Sequence, residues 1–338
     1  MKQILWQHRI QLILLVVALV VVLILSLAKT SYIVTAPGYN NNVDKFIEID
    51  VGYEVTGSFR TTSVIVLNEM TSLQYIIGRY VDTVQIREQP EYYDDIDIGD
   101  LRVMGYLSKD DSLARSLVVG FTRAQYEIDY ESKVMVYLTY NYLDADTLEL
   151  GDVIVSINGG EPLVEADLVG CDETAEFSIL RDGEPMTFQV TKHQLEGYCA
   201  FGLNIRTFTD ILSEDLPYTL HDSTTGGSSG GLMQALYVYN QLTPNDITGG
   251  RDIAGTGTID VDGNVGRIGG IEQKIITSAL NNIDIFFVPY LSDADSDNYI
   301  VAQQVLAGLN TDMVLVPVQT IDDAIEYLEA RYGGAFDE

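Results

Sequence analysis

Leu12 to Leu25 is an unbroken apolar run without a single charged or hydrogen-bonding side chain. With Ile10, Gln11, Ser26, Leu27 and Ala28 it fills residues 10–28, close to the ~20 residues a helix needs to cross a bilayer. No water-facing element tolerates such a stretch, so it spans a membrane or is cut away. Lys2 and Arg9 precede it, and only Lys29 follows closely. The positive-inside rule then puts residues 1–9 in the cytoplasm and everything after Thr30 outside the cell membrane. Ser26-Leu27-Ala28 has the small-x-small form of a signal-peptidase site, which leaves cleavage after Ala28 open. The run is longer than a usual signal core, so we take 10–28 as an uncleaved single-pass anchor in the lipid bilayer.

The remainder is long enough for about two globular domains. A formal net charge of −31 repels phosphate backbones and argues against nucleic acid as a partner. It fits an acidic, soluble ectodomain. No G-x-x-x-x-G-K-[ST] loop is present, so no nucleotide site is expected. Three histidines and two cysteines, with no Cys/His cluster, argue against zinc, and no cofactor is expected. Whether Cys171 and Cys199 pair is open: the compartment permits a bridge, and the sequence does not fix its geometry.

Along the chain, residues 29–44 read as a linker because of Thr35-Ala36-Pro37-Gly38 and Asn40–Asn42. Residues 45–130 form an α+β segment. Phe46–Asn68 alternates as strands do, Thr71–Tyr80 and Ser112–Gln125 read as helices, and acidic, tyrosine-rich Gln89–Asp100 reads as a surface loop. In residues 131–200, Gly151 makes a turn, Val153, Val155 and Ile157 alternate on one strand face, and Asn158-Gly159 closes a hairpin. Phe177–Val190, turning at Asp182-Gly183, supplies two more strands. Residues 201–338 alternate strands and helices, ending in a helix that Thr320 and Asp323 cap as a box. The fold class is α+β.

The chemistry concentrates in this last part. Gly226-Gly227-Ser228-Ser229-Gly230-Gly231 precedes the apolar-periodic stretch Leu232–Leu242, which puts Ser229 on a glycine-rich turn at a helix N-terminus. Backbone amides of such a turn, over Gly227, Ser228 and Gly230, suit an oxyanion. Gly269-Gly270-Ile271-Glu272-Gln273-Lys274 sets a lysine in mostly apolar sequence. A serine hydroxyl needs a base, and a lysine serves as one when burial lowers its pKa. The pair reads as a Ser–Lys hydrolase. His221 and Asp222 invite a triad with Ser229, but neighbours in a strand point to opposite faces. Asp293–Asn298 looks like half a calcium loop but lacks its glycine and its distal glutamate.

These segments resemble the proteolytic domain of Lon-type endopeptidases. Gly227–Gly231 stands where the family has a G-P-S-A-G-like turn. Thr256-Gly257, Asp262-Gly263, Ile268-Gly269-Gly270 and Lys274 follow in the family's order. Ser228 replaces the family's proline, which makes it the rival nucleophile, and Gly230 replaces its alanine. Thr256 matches the threonine thought to hydrogen-bond the catalytic lysine. Leu148-Glu149-Leu150-Gly151-Asp152-Val153-Ile154 through Asn158-Gly159 resembles the PDZ core L-x-x-G-D-x-I-x-x-(I/V)-(N/D)-G. As a whole the chain resembles the membrane-anchored, PDZ-containing Lon-like proteases.

The resemblance implies a transmembrane helix, a PDZ-like β-rich insert over 131–200 and a Lon-type proteolytic domain over 201–338, and it leaves open whether 45–130 belongs to the latter as part of a discontinuous domain. It implies an ATP-independent serine endopeptidase, without the Lon motor, acting outside the membrane on exported peptides or unfolded protein segments. The alternative is a catalytically idle PDZ adaptor that captures peptides in the cell envelope. A third reading is self-processing. Full Lon enzymes form rings, so a homo-oligomer is possible but not required.

Overall fold

The computed structural model describes residues 2–90, 93, 95–144, 146–165, 170–171, 173–195, 197–223, 225–292 and 294–333. Asp293, which opens the half calcium loop, and the side chain of Lys2 lie outside them. The molecule is mixed α+β. Helix α1 (Lys2–Leu27) buries no residue of its apolar stretch His8–Leu27, which is long and apolar enough for a membrane span or a signal sequence.

The larger of two main sheets is six-stranded, in the order β17-β16-β13-β3-β1-β4. Its strands are β1 (Tyr32–Asn42), β3 (Ser58–Leu67), β4 (Gln85–Glu88), β13 (Asp252–Gly255), β16 (Ile285–Pro289) and β17 (Val314–Val318). β3, β13, β16 and β17 run parallel, and β1 is antiparallel to both β3 and β4. Helices cover both faces, so the central strands are apolar on both sides. Ile253, Ile285, Phe287 and Val316 pack with Leu236 of α5 (Gly231–Leu242) and Leu328 of α8 (Ile321–Tyr332). Ala254, Phe286 and Val288 pack with Ile275 of α6 (Ile271–Leu280) and Ala302 of α7 (Asn298–Leu306).

The segment expected to be a linker, 29–44, is therefore corrected: most of it is β1. Its polar, Pro-Gly-Asn composition hides the strand. The backbone pairs on both sides, and a register shift between Pro37 and Asn40 absorbs the Pro-Gly kink. Between β1 and β4 lie a short 3-10 turn (Val43–Lys45), β2 (Ile47–Ile49) and α2 (Ser72–Gly78). β2 pairs with β12 (Tyr218–Leu220). Thr71 caps α2 through a capping box with Gln74.

The second sheet is antiparallel, in the order β11-β5-β6-β7-β8. It contains β5 (Tyr130–Thr139), β6 (Val153–Ile157), β7 (Thr174–Arg181), β8 (Glu184–Thr191) and β11 (Leu203–Ile211), with α4 (Pro162–Glu165) after β6. Its own core holds Val136, Ile154, Ile157, Phe177, Ile179 and Val190. Three expectations change here. β11 carries this sheet past the boundary placed at residue 200. A register shift between Ile154 and Ser156 turns Ile154 and Ile157 inward and leaves Val155 exposed, so Val153, Val155 and Ile157 do not share a face. Asn158 and Gly159 both have positive φ, as a tight turn requires, but the hairpin stops at one bridge, Ile157 to Gly160. β9 (His193–Gln194) and β10 (Cys199–Ala200) form a small ribbon, and Cys199 is disulfide-bonded to Cys171.

Helix α3 (Ile98–Arg123) joins the sheets and starts well before the expected Ser112. Asp97 caps it by accepting from the Gly99 amide. Its first half is held to β5 by polar contacts, Thr139 Oγ1 to Asp100 and Ser108 Oγ to Tyr137 OH, each 2.8 Å. It therefore lacks the apolar period by which a helix is read. β13 ends at Gly255, and β14 (Thr258–Ile259) turns away to pair with β15 (Val265–Gly266).

Candidate active site

β3 continues to Leu67, whereas β13 pairs with it only as far as Thr61. From Thr62 onward the β13 side of β3 has no partner strand among the described residues. The turn before α5 and the start of α6 border this gap, at the carboxyl ends of parallel strands where open α/β sheets place their sites.

Ser229 arrives on the turn that enters α5. Gly227 has a φ of 95°, a conformation open mainly to glycine. Its amide donates to the Gly105 carbonyl of α3 at 2.8 Å. Gly227 thus ties the turn to α3, and its N–H is not among the free donors expected there. A Cβ on Gly230 would lie 2.9 Å from Thr61 Cγ2, so glycine lets the turn reach β3. The carbonyl of Ser228 accepts from Ser112 Oγ at 3.1 Å, and Ser116 Oγ donates to Gln234 Oε1 and to the Gly231 carbonyl. Among the described residues the amides of Ser228, Ser229 and Gly230 donate to nothing, which leaves them for a bound oxygen.

Lys274 is buried in the first turn of α6, 2% exposed. Its Nζ donates to Ser229 Oγ at 2.6 Å and to Thr256 Oγ1 at 2.8 Å. Thr256, buried just past the end of β13, donates a hydrogen bond from its own hydroxyl to the Ser229 carbonyl at 3.1 Å. The Gly257 amide donates to the same carbonyl at 2.8 Å. No carboxylate pairs with Lys274 among the described residues. Burial alone pushes its pKa down from 10.5 to about 7, because a charged amine loses its hydration there.

Ser229 and Lys274 open on a cleft of about 610 Å³. Its walls are Thr61–Val66 of β3, Lys109 and Leu113 of α3, the 225–230 turn and residues 267–269. Ser228 also lines it. His221 stands apart, exposed, with Nε2 2.9 Å from Glu48 Oε2. Among the described residues no three His, Cys, Asp or Glu side chains are grouped to hold a metal ion.

The structure thus brings Ser229, Lys274 and Thr256 into one chain of hydrogen bonds. Sequence reasoning missed the support behind the turn: Gly105, Ser112 and Ser116 on α3, and Gln234 on α5. One signal was present, a stripe of small residues, Gly105, Ser108, Ser112 and Ser116, at helical spacing. Residues 223–330, from the loop ahead of Ser229 into α8, match the family model of the Lon protease (S16) C-terminal proteolytic domain. That match supports a serine peptidase.

Proposed function

We propose that this chain is a membrane-anchored serine endopeptidase, working without ATP, in which Ser229 is the nucleophile and Lys274 its general base. The observation that carries the reading is the 2.6 Å approach of a buried Lys274 Nζ to Ser229 Oγ. With its pKa near 7, much of Lys274 is a neutral amine at neutral pH. That amine accepts the Ser229 proton as Oγ attacks the scissile carbonyl. The ammonium then protonates the leaving amine, and the neutral amine activates water to release the acyl group. The free amides at 228–230 suit the oxyanion, and Thr256 holds Nζ in place. The open edge of β3 suits a substrate strand.

The substrates we propose are exported peptides and unfolded segments. Without a motor, compact proteins should resist. Residues 10–28 hold the chain in the bilayer with the N-terminus inside. The Cys171–Cys199 disulfide favours an oxidising compartment for the body. We read 131–200, extended through β11, as a PDZ-like peptide-binding module on the strength of its separate core and its Gly151 and Asn158-Gly159 turns.

The test is cleavage of an unstructured protein by the full-length chain, with and without ATP, beside Ser229→Ala and Lys274→Ala. Both variants should lose at least ~10³-fold in kcat, and ATP should change nothing. Substantial activity in Ser229→Ala would sink the assignment. Loss confined to Ser228→Ala would move the nucleophile by one residue.

A further inference from the structure

The foot of α1 is bonded into the body. The Ala28 carbonyl, one residue past α1, accepts from the Ser72 amide at 2.8 Å and from Ser72 Oγ at 3.2 Å. The Thr30 amide and hydroxyl both donate to the Met70 carbonyl at 2.8 Å. Helix α2 is therefore fixed directly beside the end of α1. It has seven residues, which makes it ~10 Å long, so every part of it stays within that reach of Ala28. It buries none of its side chains fully. Its outer surface and the turn after it expose Ile76, Ile77, Tyr80 and Val81 at 45%, 56%, 85% and 40%. Leu67, at the near end of β3, is 46% exposed.

We infer that this face, α2 with Tyr80 and Val81, lies in the headgroup region of the bilayer that α1 crosses, so that the lipid surface is its partner. The inference rests on reading α1 as a membrane span. If α1 enters hydrocarbon at Leu27, a helix hydrogen-bonded to Ala28 has its side chains at headgroup depth. Tyrosine and branched apolar side chains are the types enriched there. Arg79 beside them, its guanidinium 6.0 Å from the Tyr75 ring, adds a positive charge that suits lipid phosphate. A second copy of the chain is the competing occupant, but the neighbouring α1 ties this face to lipid in each copy.

The test uses full-length protein in phosphatidylcholine–phosphatidylglycerol nanodiscs. Its cysteines are joined to each other, so a single added cysteine takes one spin label. Labels go on Ile77→Cys, Tyr80→Cys, Val20→Cys in α1 and Met186→Cys on β8. Collision with oxygen and with a water-soluble nickel chelate is then measured. Labels at 77 and 80 should meet less nickel and more oxygen than the label at 186, and more nickel and less oxygen than the label at 20 in the hydrocarbon. If 20 is shielded but 77 and 80 behave like 186, the lipid-facing surface is refuted and the span stands. If 20 itself meets nickel, the span fails and the inference with it. Dipolar broadening between labels at 77 would assign the face to a second copy and overturn the proposal.

Discussion

Below pH 7 Lys274 holds an ammonium in an apolar site, and above its ordinary value of 10.5 neither the folded nor the unfolded chain carries that charge. Between those limits the unfolded chain keeps the proton that the folded chain has lost. Stability from this residue therefore rises with pH from about 7 to 10.5. Lys274→Met should be the more stable protein at about pH 6, by up to about 5 kcal/mol. The advantage should fade toward the alkaline limit, as urea midpoints across pH will read. Activity should climb with pH around a midpoint near 7, where the amine becomes a base. A flat profile, or a midpoint that moves in His221→Ala, would count against Lys274. Because Ser229 and Lys274 would act as a unit, the double alanine variant should be no slower than either single one. At this scale the sequence was informative. Glycine spacing and an apolar setting marked Ser229 and Lys274, and the family pattern marked Thr256. The residues that brace the turn were not legible, because Ser112 meets the Ser228 carbonyl across 116 positions, and no local pattern reports such a meeting.

Among the elements, α5 depends on a buried polar seam with α3. Gln234 Oε1 accepts from Ser116 at 3.1 Å and from Ser112 at 3.4 Å. Gln234→Ala removes the acceptor the two hydroxyls share but leaves each a carbonyl, Ser228 for Ser112 and Gly231 for Ser116, so the seam should lose roughly 1 kcal/mol per hydrogen bond. We expect a lower denaturation midpoint and a reduced kcat, since the turn that carries Ser229 is loosened. Thr320→Ala removes the cap of α8, whose hydroxyl accepts from the Asp323 amide. It should cost ~1 kcal/mol without touching kcat, which a thermal melt and an assay will separate. α5, with its apolar period, and the start of α8, with its capping box, were legible. β1 and the first half of α3 were not. Both are held by backbone pairing or polar contacts to distant segments, so their sequences look like loops.

For the whole molecule, the disulfide closes a separation of 28 residues, and its loss should cost on the order of 3 kcal/mol through the freedom returned to the unfolded chain. A Cys171→Ser, Cys199→Ser protein should melt earlier yet keep its cleavage rate, since the bridge ties the small β9–β10 ribbon to the segment before β7 and neither cysteine lines the cleft. The two-sheet plan was only half visible beforehand, because β11 and β3 each pair with strands far from them in sequence. One consequence follows from β1. The strand runs from the foot of α1 to Asn41, which pairs with Thr61 beside the Ser229 turn. With α1 in a bilayer, the nucleophile stands on a stiff post roughly 30 Å tall at most. On that reading the protein would work as a gauge, cutting at a set altitude with no slack to stoop. Substrates tethered to the same bilayer through spacers of graded length should go uncut until the spacer, fully stretched, lifts its bond to that altitude.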